Sequence, residues 1–261
     1  MLNYPDIDPV LFRVGPLAVR WYGLMYLAGF GAAWLLIRRL ADRKGLPLGR
    51  DDLSDLLFYA VIGVILGGRL GYVLFYNPAH FFSHPLDIPA VWQGGMSFHG
   101  GLLGVILASL LFCRRRSLPV LQLGDIIANS ATIGLGLGRL GNFINGELWG
   151  RTTDVPWGMV FPQAGLLPRH PSQLYEFLLE GVVLFCLLLW LNLRGSRAGV
   201  PLFVFFAGYG LFRFLVEFVR EPDPQLGFLW FGATMGQLLS LPMILLGIAG
   251  LWFVLRGRTA R

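Results

Sequence analysis

Apolar residues in this chain come in long runs, and the charged residues and most prolines collect in the short stretches between them. An α-helix needs about 20 predominantly apolar residues to cross a bilayer core. The runs over 21–37, 53–76, 121–141, 173–193, 201–219 and 231–255 approach or exceed that length, and a further run opens in 94–101 and ends at Arg114, Arg115 and Arg116. The pattern predicts an all-α polytopic membrane protein with seven transmembrane helices.

Basic residues predict its orientation. Arg38, Arg39, Arg43, Lys44 and Arg50, then Arg114 to Arg116, then Arg194 and Arg197, then Arg256, Arg258 and Arg261 all fall on one side of a seven-span chain. Excess Lys and Arg mark the cytoplasmic side, so the N-terminus is expected outside (periplasmic) and the C-terminus in the cytoplasm. The first apolar run lacks a preceding basic region and follows Pro5, Asp6, Asp8 and Pro9, so it is expected to persist as a helix and not as a cleaved leader. Residues 1–20 are expected on the membrane surface. Residues 77–95 read as an outer loop or re-entrant piece with solvated His80 and His84, and about 142–171 as a small periplasmic cap or arm. The whole of 1–261 reads as a single integral membrane domain.

Composition agrees. At 261 residues, 55% hydrophobic and 14% charged, the chain has too little polar surface to cover a soluble globule. The formal charge of +6 lies in the blocks between spans, which is a topology signal and excludes a nucleic-acid face. Cys113 and Cys186 sit in apolar runs with no partner at metal-ligand spacing, so they read as core residues. The chain therefore offers no thiol nucleophile of its own, and neither metal nor cofactor is expected.

The unusual chemistry is polar. The glycine-rich run from Gly134 to Gly150 carries Arg139, Asn142, Asn145, Glu147 and Gly150, and an arginine at membrane depth is costly enough to be a functional candidate. Arg69 interrupts the second span beside Gly63, Gly67 and Gly71, whose spacing lets helix backbones approach closely. It reads either as an interhelical structural charge or as a contact to an anionic ligand. At about 1.5 Å per residue from the basic ends, Arg69 lies about 24 Å up its span, Arg139 about 27 Å and Arg213 about 18 Å. All three fall in the outer half, with Tyr22 and His99 at outer helix ends and Glu176 and Glu180 in the first turns of the fifth span. Tyr209, Arg213, Glu217 and Arg220 are spaced 4, 4 and 3 apart and share a helix face. They are either a self-neutralising ion triad or a phosphate clamp. Of the 21 cationic residues all but Lys44 are arginine, which binds phosphate bidentately. An off-centre arginine layer fits a ligand with an anionic head and an apolar tail, as in an anionic phospholipid. The string Gly136-Leu-Gly-Arg-Leu-Gly141 follows no strand, so it is no dinucleotide loop. Gly95-Met-Ser-Phe-His99 lacks the last glycine of a nucleophile elbow.

Gly138-Arg-Leu-Gly-Asn-Phe-Ile-Asn-Gly-Glu-Leu-Trp-Gly150 closely resembles the signature of the bacterial phosphatidylglycerol–prolipoprotein diacylglyceryl transferase family. So do Trp21-Tyr-Gly-Leu-Met-Tyr26, Gly67-Gly-Arg-Leu-Gly-Tyr-Val-Leu-Phe-Tyr76, Gly94-Gly-Met-Ser-Phe-His-Gly-Gly101, Arg169-His-Pro-Ser-Gln-Leu-Tyr-Glu176 and the stretch from Tyr209 to Arg220, which together cover nearly the whole chain. The resemblance implies an inner-membrane, multi-pass transferase acting toward the outer leaflet. Such an enzyme moves the diacylglyceryl group of phosphatidylglycerol onto the lipobox cysteine of a prolipoprotein signal peptide and leaves glycerol phosphate. It implies Tyr22, His99, Arg139, Asn142, Glu147, Gly150, Tyr209, Arg213, Glu217 and Arg220 as important positions. Arg139, Arg213 and His99 are expected to be catalytic, the arginines on the developing phosphate charge and His99 on the thiol proton. Tyr22, Arg69, Asn142, Asn145, Glu147, Gly150, Tyr209, Glu217 and Arg220 are expected to bind substrate, with Glu147 and Glu217 orienting arginines. A lipid or solute transporter with an anionic head-group site is the alternative.

Overall fold

A computed structural model of the chain describes residues 2–257 apart from 6, 16, 76–77, 223–226 and 230–231; the side chains of residues 14, 17, 93, 98 and 99 also lie outside the description. The described residues are mostly helical: α1 (Trp21–Lys44), α2 (Arg50–Phe75), α3 (Pro78–Ser83), α4 (Phe98–Arg116), α5 (Val120–Ile144), α6 (Ser172–Leu193), α7 (Val200–Val216) and α8 (Met235–Arg256). Five of them, α1, α2, α5, α6 and α8, are long and apolar enough to cross a membrane, and α7 is a shorter apolar helix. Several run past the expected ends. Arg38 to Lys44 continue α1, because charged residues outside the hydrocarbon remain good helix formers. The expected start of the last span at Phe231 lies outside the described residues, and α8 begins at Met235 behind a Thr234–Gln237 capping box.

Residues 1–20 depart from an all-helical reading. β2 (Val10–Val14) and β3 (Leu17–Arg20) form an antiparallel hairpin, and β1 (Leu2–Asn3) pairs in parallel with β4 (Met159–Val160). The stretch 77–95 holds α3 and two 3-10 turns. There His80 is exposed as expected, 3.1 Å from the carboxylate of Asp87.

The chain divides into two compact units, residues 41–123 and residues 1–40 with 124–261. In the first, α2 packs on α4 through glycine. A Cβ on Gly63 would lie 2.6 Å from the Gly104 carbonyl oxygen, and one on Gly71 would lie 2.9 Å from Gly100 Cα. The expected glycine stripe therefore does bring two backbones together. At the basic end of α4, Arg116 pairs with Asp52 at 3.0 Å and with Asp55 at 2.6 Å.

In the second unit α6 crosses α5 where Gly181 meets Gly136, and a Cβ on Gly136 would stand 3.0 Å from Gly181 Cα. Near that crossing α6 widens to a π-helix over Phe177–Val183 before returning to α. Asp125, fully buried on α5, accepts hydrogen bonds from Gly199 N and Leu202 N. It thereby satisfies donors that the start of α7 would otherwise leave unpaired. Residues 142–171 fold over the ends of α5 and α6. Residues 150–153 pair with 168–170 on one side, through Gly150 N to His170 O at 2.8 Å, and with 219 on the other, through Arg151 N to Val219 O at 2.8 Å. Ser172, a natural helix cap by residue type, instead lies inside the first turn behind Pro171 and donates to Leu148 O at 3.0 Å.

Candidate active site

The shared anchor at Asp125 sets the level of two arginines. From Asp125 to Arg139 along α5, and from Gly199 to Arg213 along α7, the chain advances fourteen residues in each case, a rise of about 21 Å. Both guanidiniums then meet Glu176 of α6, which is fully buried. Arg213 Nη1 donates to Glu176 Oε1. Arg139 Nε lies 3.0 Å from Oε2, close enough to pair although not aligned as a hydrogen bond.

The stripe on α7 closes the cluster. Arg213 Nη2 sits 2.5 Å from Glu217 Oε1 and Arg220 Nη1 sits 3.4 Å from the same oxygen, so Glu217 pairs with both arginines. Its other oxygen accepts from Thr234 Oγ1 at 2.5 Å. Gly236 leaves the space, because a Cβ there would meet the Glu217 carboxylate 2.5 Å from Oε1. Arg220 stands in the turn beyond α7, and Arg151 holds that turn by donating to Arg220 O at 2.9 Å and Glu217 O at 3.2 Å. Arg139 and Arg213 keep 19% and 14% of their side chains exposed, whereas the carboxylates beneath them are covered. The arginines are thus the accessible edge of a buried ionic cluster.

Glu147 differs from expectation. Its Oε1 accepts from Asn142 Nδ2 at 2.9 Å and Asn145 Nδ2 at 3.1 Å, so it orients amides and not arginines. Gln173 holds the same loop from α6, donating to Glu147 O at 2.6 Å. Gly150 is a backbone crossing point: a Cβ there would lie 2.5 Å from Val219 O and 2.7 Å from His170 Cβ. Burial pulls the His170 imidazole below its usual range, leaving it neutral beside the Tyr175 hydroxyl 3.1 Å away. Tyr22 packs on Gly141, and its hydroxyl is 3.1 Å from that of Tyr26. Tyr209 stacks on Phe205 within the electrostatic reach of Arg213 and Arg139.

Two expected residues belong to the other unit. Arg69 is 6% exposed, and its guanidinium donates to four backbone carbonyls: Ile88, Gly94 and Asp87 at 2.6 Å each and Gly95 at 3.2 Å. It ties the 87–95 segment to α2, a different role from the interhelical charge read from the sequence. The side chain of His99 lies outside the described residues. Sequence reasoning left Glu176, Glu180, Thr234, Gly236 and Arg151 out of the site. For the first two a signal was present, since two carboxylates four apart in an apolar helix need cationic partners.

Several membrane-length helices that gather arginines around covered carboxylates define a helical membrane protein with a buried ionic cluster. The family model for prolipoprotein diacylglyceryl transferase matches residues 9–253, and the chain belongs to that family. It is 61% identical over 247 residues to the phosphatidylglycerol–prolipoprotein diacylglyceryl transferase of Geobacter sulfurreducens, covering 95% of each chain. Against the Bordetella avium enzyme of the same name it is 58% identical over 260 residues, covering 99% of this chain and 98% of the other. Against that of Vibrio cholerae it is 56% identical over 257 residues, covering 98% and 95%.

Proposed function

We propose that the protein transfers the diacylglyceryl group of phosphatidylglycerol to the thiol of the lipobox cysteine of a prolipoprotein, forming a thioether and releasing glycerol phosphate. This is the first step of lipoprotein maturation. The observation that carries the reading is the convergence of Arg139 and Arg213 on Glu176, with Arg213 and Arg220 on Glu217. Carboxylates beneath the guanidiniums fix their orientation, and their outer N–H groups face a phosphate. As sulfur bonds to the glyceryl carbon, the carbon–oxygen bond breaks and its electron pair stays on the phosphate. Pre-oriented arginines stabilise that growing charge more than they stabilise the bound lipid. In this reading Asn142, Asn145 and Glu147 line the head-group end, Tyr22 and Tyr209 flank the arginines, and Gly150 keeps the cap close.

The same reading places seven spans in the bacterial inner membrane, with the N-terminus periplasmic and the site toward the outer leaflet. It treats the two units as one functional domain. The arginine-marked helix ends support that orientation. Arg69 holds a loop and is not assigned to the phosphate. Purified protein given phosphatidylglycerol and a lipobox peptide is expected to release glycerol phosphate and add a diacylglyceryl mass to the peptide, and a Cys→Ser peptide is expected to stay unmodified. Intact lipid after incubation with the cysteine peptide overturns the reading.

A further inference from the structure

Among the described carboxylates that face the arginines, one has uncommitted oxygens. Glu176 holds Arg139 and Arg213, Glu217 holds Arg213, Arg220 and Thr234, and Glu147 holds two asparagine amides. Glu180 is fully buried, and neither of its oxygens accepts a hydrogen bond. Its charged and titratable neighbours are Glu176 on its own helix, Arg139 of α5, Tyr209 and Arg213 of α7, and Arg220 in the turn beyond. A covered acceptor without a donor is costly and calls for a reason. Glu180 also lies within the π-helical stretch Phe177–Val183, and such widened turns recur at functional sites.

Position narrows the reason. Glu180 follows Glu176 by four residues, about one turn further along α6 and away from the cap. A lipid whose phosphate meets Arg139 and Arg213, with its acyl chains along the helices, has its reacting glyceryl carbon on that side. Resting on the transferase reading above, we propose that Glu180 accepts the proton of the lipobox thiol. The S–H proton passes to a Glu180 oxygen, sulfur bonds to the glyceryl carbon, and the carbon–oxygen bond breaks with its electron pair left on the phosphate. Three guanidiniums face three carboxylates before the step. Protonation of Glu180 removes one negative charge as the phosphate gains one, so the arginines turn from balancing a carboxylate to stabilising the leaving group.

The test compares lipobox peptides carrying cysteine or selenocysteine, since a selenol is the stronger acid and needs no base to ionise at neutral pH. With phosphatidylglycerol as donor, Glu180→Gln is expected to lose roughly 10²- to 10⁴-fold in kcat on the cysteine peptide. It should keep its KM for the lipid and regain most of the loss on selenocysteine. Wild-type-like turnover of the cysteine peptide by E180Q overturns the proposal, and so does an equal loss on both peptides. If E180Q does not fold, Glu180→Asp carries the test: its displaced carboxylate should lower the cysteine-to-selenocysteine ratio, and a wild-type ratio overturns the assignment. His99→Gln probes the competing base. A cysteine-specific loss rescued by selenocysteine there, and not in E180Q, moves the role to His99. A wild-type protein that leaves the lipid intact with either peptide instead overturns the transferase reading itself.

Discussion

Arg69, buried, and Arg213, half-buried, are both arginines on apolar helices, yet they have opposite partners. Arg69 donates to four carbonyls of one loop, all neutral and all fixed by the backbone. Arg213 bridges two carboxylates and keeps 14% of its side chain exposed. A guanidinium whose donors are filled by carbonyls has little left to offer a phosphate. One held from beneath by carboxylates is oriented and still has an outward edge. The chemical type of an arginine's partners, more than its burial, therefore decides what it can still offer an anion.

The comparison is most severely tested by removing Glu176. Glu176→Ala leaves Arg139 and Arg213 without their shared anion and is expected to cost about 3–5 kcal/mol, the range for breaking a buried pair, read as a lowered thermal midpoint in detergent. A midpoint equal to wild type would mean that the cluster is not held from beneath. Next comes Arg213 itself. Arg213→Ala should lower diacylglyceryl transfer roughly 10²- to 10³-fold, and Arg213→Lys should fall at least about tenfold, because a point charge cannot bridge two carboxylates. Full turnover by the lysine variant, measured as peptide mass shift, would remove the bidentate role. Arg69→Met is expected to cost about 1–3 kcal/mol of stability through its orphaned carbonyls while KM for phosphatidylglycerol stays within about twofold. A large KM increase without a stability loss would return Arg69 to the head-group contacts. The smallest effect belongs to Thr234→Val, which loses a helix cap and one hydrogen bond to Glu217 and should cost about 1–2 kcal/mol, with a modest fall in kcat.

Much of this site was legible before the fold. The stripe from Arg213 to Glu217 needed only helical periodicity, and the glycines on α2 needed only their spacing of four. Depth counting was less successful. It set Arg139 about 27 Å and Arg213 about 18 Å from their basic ends, whereas both reach Glu176, because α7 starts at the level of Asp125 and not at the start of α5. The sequence reading has Glu147 orienting an arginine. The end of α5 turns it instead toward Asn142 and Asn145.

The sequence by itself determined the class of molecule: the apolar runs, the arginine-marked ends and the polar residues set in between are properties of composition and order, and they demand helices in a membrane. The tertiary structure decided who pairs with whom. Ion pairs among α5, α6 and α7 depend on helix starts, on a π turn and on glycine crossings, and no local periodicity encodes those offsets. For that reason Arg69 and Arg213 look alike along the chain and differ in the fold.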